Sequence, residues 1–252
     1  MTRIKAASAH LFISTVLASV VIALIVFGWY PPPFFWALGG PMLLALLVGV
    51  DVVLGPLMTL ILFNPKKSRR ELTLDLSLIG MVQLSALCYG LYSGYVGRVV
   101  YGAFADGSFH VVEASEIAPD FLKQAPLLQF QSLPFVGNRM IGTRVPDTDK
   151  ARDDVAFFKA LGVGPQHLPQ FHVELADNRD AILRAAISKE RLQKVNPALL
   201  NKLDELLQDN SLSWNDIAIV PFDMHTATYT TVVILKQMQV LKVLRDNPLR
   251  KE

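Results

Sequence analysis

Three long apolar runs occupy the first hundred positions, at 11–30, 40–63 and 72–95, each separated from the next by prolines or charges. A helix needs about 20 apolar residues to cross a hydrocarbon core roughly 30 Å thick. The pattern therefore predicts three transmembrane helices. Pro31-Pro32-Pro33 closes the first run with a stiff turn, since proline supplies no amide donor. Arg3 and Lys5 precede that run, as they would in a signal peptide. The run is longer than a usual signal core, however, and ends in Gly28-Trp29-Tyr30-Pro31 without a small-x-small cleavage site, so an uncleaved anchor is expected.

Beyond residue 96 the periodicity changes. Positions 99–104 and 109–112 are β-branched or aromatic and flank Asp106-Gly107, a hairpin signal. Residues 115–123 read as a short helix capped by Ser115, and 126–145 as irregular chain with some strand. Asp147 or Thr148 is placed to cap a helix running to Leu161, with Asp149, Asp153 and Asp154 near its positive end. Gly162 and Gly164 end it. Positions 176–210 are helical in pattern and broken at Asn196-Pro197; Leu199, Leu203, Leu206 and Leu207 then recur at helical spacing. Residues 217–222 and 226–235 read as strands, and 239–244 fits either a hairpin partner or a helix. The expected architecture is a membrane α-helical bundle (1–96) followed by a soluble α+β domain with an antiparallel sheet (97–252).

Charge gives the membrane part a direction. The chain is 52% hydrophobic and 18% charged, with mean hydropathy +0.36, but only Asp51, Glu71 and Asp75 are acidic before residue 97. The bases there are Arg3, Lys5, Lys66, Lys67, Arg69 and Arg70, four of them in the loop after the second run. The other short loop carries none. The positive-inside rule then places the N-terminus and the basic loop in the cytoplasm and the C-terminal domain in the periplasm of a bacterial inner membrane. Trp29, Tyr30, Phe34, Phe35 and Trp36, with Tyr89, Tyr92 and Tyr95, would lie at the outer headgroup level. The near-neutral soluble part argues against nucleic-acid binding. Cys88 is the single cysteine, which excludes an internal disulfide.

Asp51 is the notable polar residue, close to mid-bilayer, where a carboxylate costs about 2.5–3.5 kcal/mol on the insertion scale. Gln83 and Ser19 fall at a similar depth, which predicts an interhelical cluster of Asp51, Gln83 and Ser19. Such a cluster could glue the bundle, receive a partner's helix, or handle a proton. Asp75, near the cytoplasmic end, would pair with Arg69 or Arg70 or reach water. Ala45 and Gly49 on the second helix, and Ala86, Gly90 and Gly94 on the third, form small-residue faces suited to close packing with a sister helix or another protein. His110, His167, His172 and His225 are scattered, and no metal, phosphate-loop or nucleophile-elbow motif is present. His225 beside Asp223 reads as a turn. No catalytic residue, cofactor or metal is expected.

One stretch is specific. Gly49-Val50-Asp51-Val52-Val53-Leu54-Gly55-Pro56-Leu57, with Thr59-Leu60 and Phe63-Asn64-Pro65-Lys66-Lys67, resembles the type IV pilin accessory proteins, the TfpX/TfpZ family. Arg3-Ile4-Lys5-Ala6, Trp29-Tyr30-Pro31, Gln83-Leu84, Tyr89-Gly90-Leu91-Tyr92 and Gly97-Arg98 extend the likeness through the first hundred residues; the soluble domain follows loosely. The resemblance implies a non-enzymatic inner-membrane factor in type IV pilus biogenesis. Its partners would be the major type IV pilin, membrane lipid and other pilus assembly proteins. It also leads one to expect a glycine in the last hairpin turn and a tryptophan near the end, whereas this chain has Lys236-Gln237-Met238-Gln239 and Asn247-Pro248-Leu249-Arg250. Two other functions fit the residues less well. A membrane-anchored periplasmic sensor or ligand-binding protein would need a cytoplasmic output module. A membrane enzyme or ion pathway would depend on Asp51.

Overall fold

In the computed structural model, which describes residues 2–146 and 148–250, one unit ends at Arg98 and a second begins at Val99. The first holds three helices long and apolar enough to span a membrane: α1 (Arg3–Trp29), α2 (Gly40–Leu62) and α3 (Arg69–Val96). At 1.5 Å per residue they are roughly 35–42 Å long. Two begin before their apolar runs because their entries are capped. Thr2 Oγ1 accepts the Lys5 N–H at 3.3 Å. At α3, Ser68 and Glu71 form a reciprocal capping box. Asp75 pairs with Lys67 at 2.5 Å, correcting the expectation of Arg69 or Arg70. Those arginines are on the first turn of the same helix, five and six residues before Asp75, outside the i,i+3 and i,i+4 positions that meet. Lys67 reaches in from the loop and also donates to the Leu62 carbonyl at the end of α2.

Two helices widen into π turns, at Leu24–Trp29 in α1 and Gly49–Leu54 in α2. Each lies just ahead of a proline, Pro31 and Pro56. The Tyr30 N–H donates to Ile25 O, and the Gly55 N–H to Val50 O, five residues back in both cases.

The second unit is built on a seven-stranded mixed sheet, ordered β4-β3-β1-β2-β5-β6-β7. The strands are β1 (Val99–Ala105), β2 (Ser108–Glu113), β3 (Arg139–Thr143), β4 (His172–Glu174), β5 (Ile217–Asp223), β6 (Thr228–Ile234) and β7 (Gln239–Leu244). Four pairings are antiparallel; β1–β3 and β2–β5 are parallel. The β1–β2 turn places Asp106 at φ 51° and Gly107 at φ 86°, the left-handed pair that suits a two-residue hairpin. β1 is buried along its whole length. The 239–244 segment is a strand paired with β6, and the preceding turn uses Met238 at φ 50°, its side chain buried, where the resemblance leads one to expect glycine.

Helices α4 (Asp149–Ala160), α5 (Arg179–Ala185), α6 (Lys189–Val195) and α7 (Pro197–Asp209) complete the unit. Thr148 caps α4, accepting from Ala151; Asp147 lies outside the described residues. Ser115 does not cap a helix. It sits inside a tight turn, Ala114–Glu116, closed by Glu113 and Glu116, and a single helical turn follows at Pro119–Leu122. The 176–210 region breaks at Asn196, which caps α7, and also at 186–188, where the Ile187 N–H donates to Ile219 O at 2.8 Å. Pairing with β5 there outweighs helical continuity. The α7 leucines Leu199, Leu200, Leu203 and Leu207 pack on Ile217, Ile219 and Val232. A second core gathers Tyr101, Phe130 and Ile141.

His172 is fully buried beside Tyr101 and Phe130, with ring centroids 5.3 and 5.6 Å away. Its Nε2–H donates to Gln166 O at 2.9 Å, and burial pushes its pKa down to about 4. The unfolded chain therefore binds a proton near pH 6.5 that the folded chain refuses until about pH 4. Stability of this unit should rise with pH across that window, by an amount on the order of 3 kcal/mol. Denaturant midpoints followed by Trp214 fluorescence, between pH 7 and pH 4.5, test it. His172→Gln should flatten the slope, and an unchanged slope would exclude His172 as its source.

Candidate functional site: the polar centre of the membrane bundle

Asp51 lies midway along α2, eleven residues from either end, and is 6% exposed. The local backbone explains its surroundings. In a regular helix the Asp51 carbonyl would accept the Gly55 N–H, but that donor goes to Val50 O in the π turn. The next donor in line would be residue 56, and Pro56 has none. The stranded carbonyl is served from α3 instead: Gln83 Nε2 donates to Asp51 O at 3.0 Å. Gly55 makes this possible, since a Cβ there would overlap the Gln83 amide.

Asp51 and Gln83 are thus brought together, through the backbone carbonyl rather than the carboxyl group. Ser19 is not part of the cluster. It is exposed, and its hydroxyl donates to Thr15 O at 2.8 Å. Depth alone selected it, but five residues along a helix turn a side chain by about 140° relative to the buried Ser14. Ser14 occupies the wall expected of Ser19. His10 and Thr59 form a further link between α1 and α2, with Nδ1 and Oγ1 2.6 Å apart. Sequence reasoning missed Gly55, whose signal was the Gly-Pro pair four residues after the aspartate. His10 and Thr59 carried no such mark.

The small-residue faces divide. At Gly94 an added Cβ would lie 3.2 Å from the Trp29 ring, so α1 and α3 approach closely there. Ala45 is exposed, and no atom lies within 4 Å of a Cβ built on Gly49 or Gly90. Ala86 and Gly90 border a cavity of about 90 Å³ that Asp51 also lines. A second cavity, of about 230 Å³, is lined by Asp51 with His10, Ser14, Gly80 and Gln83 among others. Asp51 Oδ1 is buried without a hydrogen-bond partner among the described residues.

The soluble unit holds a separate polar network. His167 and His225 place Nε2 3.8 and 3.7 Å from Glu116 Oε1. His225 adopts φ 62°, and its N–H donates to Asp223 Oδ1. Burial lowers the pKa of His167 against the pull of Glu116, and raises that of Glu113. Ser108 Oγ lies 3.0 Å from His110 Nε2, and His110 Nδ1 is 3.8 Å from Asp223 Oδ2. The order resembles a nucleophile relay with a long second link. The second distance exceeds a hydrogen bond. Nε2 also faces Ala105 O at 3.3 Å, so it meets a hydroxyl and a backbone carbonyl together. No group of three or more His, Cys, Asp or Glu among the described residues is arranged to hold a metal.

Comparison with known proteins gives a consistent set of relatives. Residues 1–39 match the family described as "Fimbrial assembly protein FimB". The chain is 30% identical to the fimbrial assembly protein of serogroup E1 from Dichelobacter nodosus, over 94% of this chain and 92% of that protein. It is 29% identical to the serogroup I protein of that organism, with the same coverage. The protein of serogroups C1 and C2 is 40% identical over 48% of this chain and 92% of its own length. No solved structure matches the chain.

The carbonyl arrangement is testable by a double-mutant cycle in mixed detergent micelles. Gln83→Leu should destabilise the bundle by about 0.6–1.7 kcal/mol, the range for hydrogen bonds between membrane helices. In a Pro56→Ala background, where the regular ladder can re-form, the same substitution should cost almost nothing. Equal costs in both backgrounds would show that Gln83 does not act through this carbonyl.

Proposed function

The chain belongs to the fimbrial assembly protein family, and from that premise we propose that it is a non-enzymatic inner-membrane factor that binds or stabilises the major pilin before assembly. On this reading it is an accessory protein of the type IV pilin kind. The observation that carries it is that the relationship to the serogroup E1 protein runs through both units, over 94% of the chain. Shared descent is therefore not confined to an anchor. The membrane unit offers apolar helix faces to a subunit's transmembrane segment, and the α+β unit offers a surface to its folded part. The four bases at the α2–α3 connection, Lys66 and Lys67 in the loop and Arg69 and Arg70 opening α3, favour a cytoplasmic position for it, which supports a periplasmic α+β unit. The 3.8 Å separation of His110 Nδ1 and Asp223 Oδ2 fits a role without catalysis.

Deletion of the gene should lower sheared surface fimbriae or total pilin several-fold, with recovery on re-expression. Normal fimbriation in a strain lacking its sole copy would refute the reading. Ser108→Ala should restore fimbriation as well as the unaltered chain does. Failure of that variant, at normal protein level, would bring enzymatic function back.

A further inference from the structure

We infer that Asp51 is the docking point for a transmembrane helix of another chain that carries a hydrogen-bond donor (hydroxyl, amide or ammonium) near the middle of its span. The inference rests on the reading above and adds the chemistry of recognition. Four observations support it. Asp51 is 6% exposed and its Oδ1 has no partner among the described residues. The nearby Gln83 amide donates to the Asp51 backbone carbonyl, and His10 Nδ1 lies 2.6 Å from Thr59 Oγ1, so neither contact reaches the carboxyl group. If the aspartate only glued this bundle together, its carboxyl would be expected to take the Gln83 amide, which instead repairs the proline break.

Asp51 also lines two cavities, of about 90 and 230 Å³. The larger has room for a side chain rather than a whole helix. Its rim includes Ile13 and Leu84, 65% and 60% exposed on α1 and α3. A helix lying across those residues could insert one side chain toward Asp51. Glycines keep the space open: no atom lies within 4 Å of a Cβ built on Gly80 or Gly90. Lipid acyl chains have no donors at this depth, so a complementary group must come from protein.

The test uses the full chain in its native membrane, with a photo-reactive phenylalanine analogue at Leu84. The expected adduct is the fimbrial subunit. Asp51→Leu should reduce its yield about tenfold at unchanged chain level; leucine is favoured in the bilayer, so the variant should still insert. Asp51→Asn keeps an acceptor oxygen and should retain more adduct than Asp51→Leu if the donor is a hydroxyl or amide. Equal loss in both would mark the donor as an ammonium. Replacing polar residues of the subunit's helix by leucine, one at a time, should identify one whose loss is not additive with Asp51→Leu. Undiminished adduct in Asp51→Leu, or adducts with only lipid or a second copy of this chain, would overturn the inference. Either result leaves the proposed function intact if fimbriation still requires the chain; that function fails only on the deletion test.

Discussion

Inside a bilayer no water is present to satisfy a backbone carbonyl, so each must find its partner within protein. That constraint organises the membrane unit. Pro56 removes one donor from α2, and the π turn diverts another from Asp51 to Val50. The carbonyl left behind requires a side chain from α3, and Gln83 supplies it. The Gln83 amide needs space, so residue 55 has no side chain. Asp51, Gly55, Pro56 and Gln83 therefore form a single device. Its by-product is a carboxyl oxygen, Asp51 Oδ1, buried without a hydrogen-bond partner among the described residues.

The soluble unit depends on a narrower join. Strands β4, β3, β1 and β2 form one half of the sheet and β5, β6 and β7 the other, meeting along a parallel ladder of two pairs, Phe109↔Phe222 and His110↔Asp223. Aromatic packing secures the inner pair, with the Phe109 and Phe222 rings 5.7 Å apart. The outer pair opens onto the network of His225, Glu116 and His167. Those groups sit where the two halves meet. A structural role in aligning the halves accounts for the His110–Asp223 contact.

Much of this was legible in the sequence for identifiable reasons. Three apolar runs, the Asp-Gly hairpin and the Asn-Pro break each rest on local chemistry that tertiary contacts do not override. The parallel pairings were not legible, because β2 and β5 are separated by a hundred residues and nothing local marks which strand a hydrophobic run will meet. Ile187 was missed for a related reason: its bond to Ile219 is nonlocal. At the candidate site, depth in the bilayer put Asp51 and Gln83 at one level, and the two meet through the Asp51 backbone carbonyl. It failed for Ser19, because depth gives a level along a helix and no direction around it.

The glycines sharpen what the bundle is built for. A small residue permits close approach, and at Gly94 and Gly55 that space is taken by the chain's own Trp29 and Gln83. At Gly80 and Gly90, which line the cavities beside Asp51, it is not. Anchoring alone gives no reason for openings of this kind beside a buried carboxyl group, since filling them with larger apolar side chains would add dispersion contacts. In a bilayer, where hydrophobicity does not drive helices together, packing and polar contacts are the main sources of affinity between them. Open space and an unsatisfied oxygen are the complements of those two sources. An anchor that served only to hold the α+β unit at a surface would need neither.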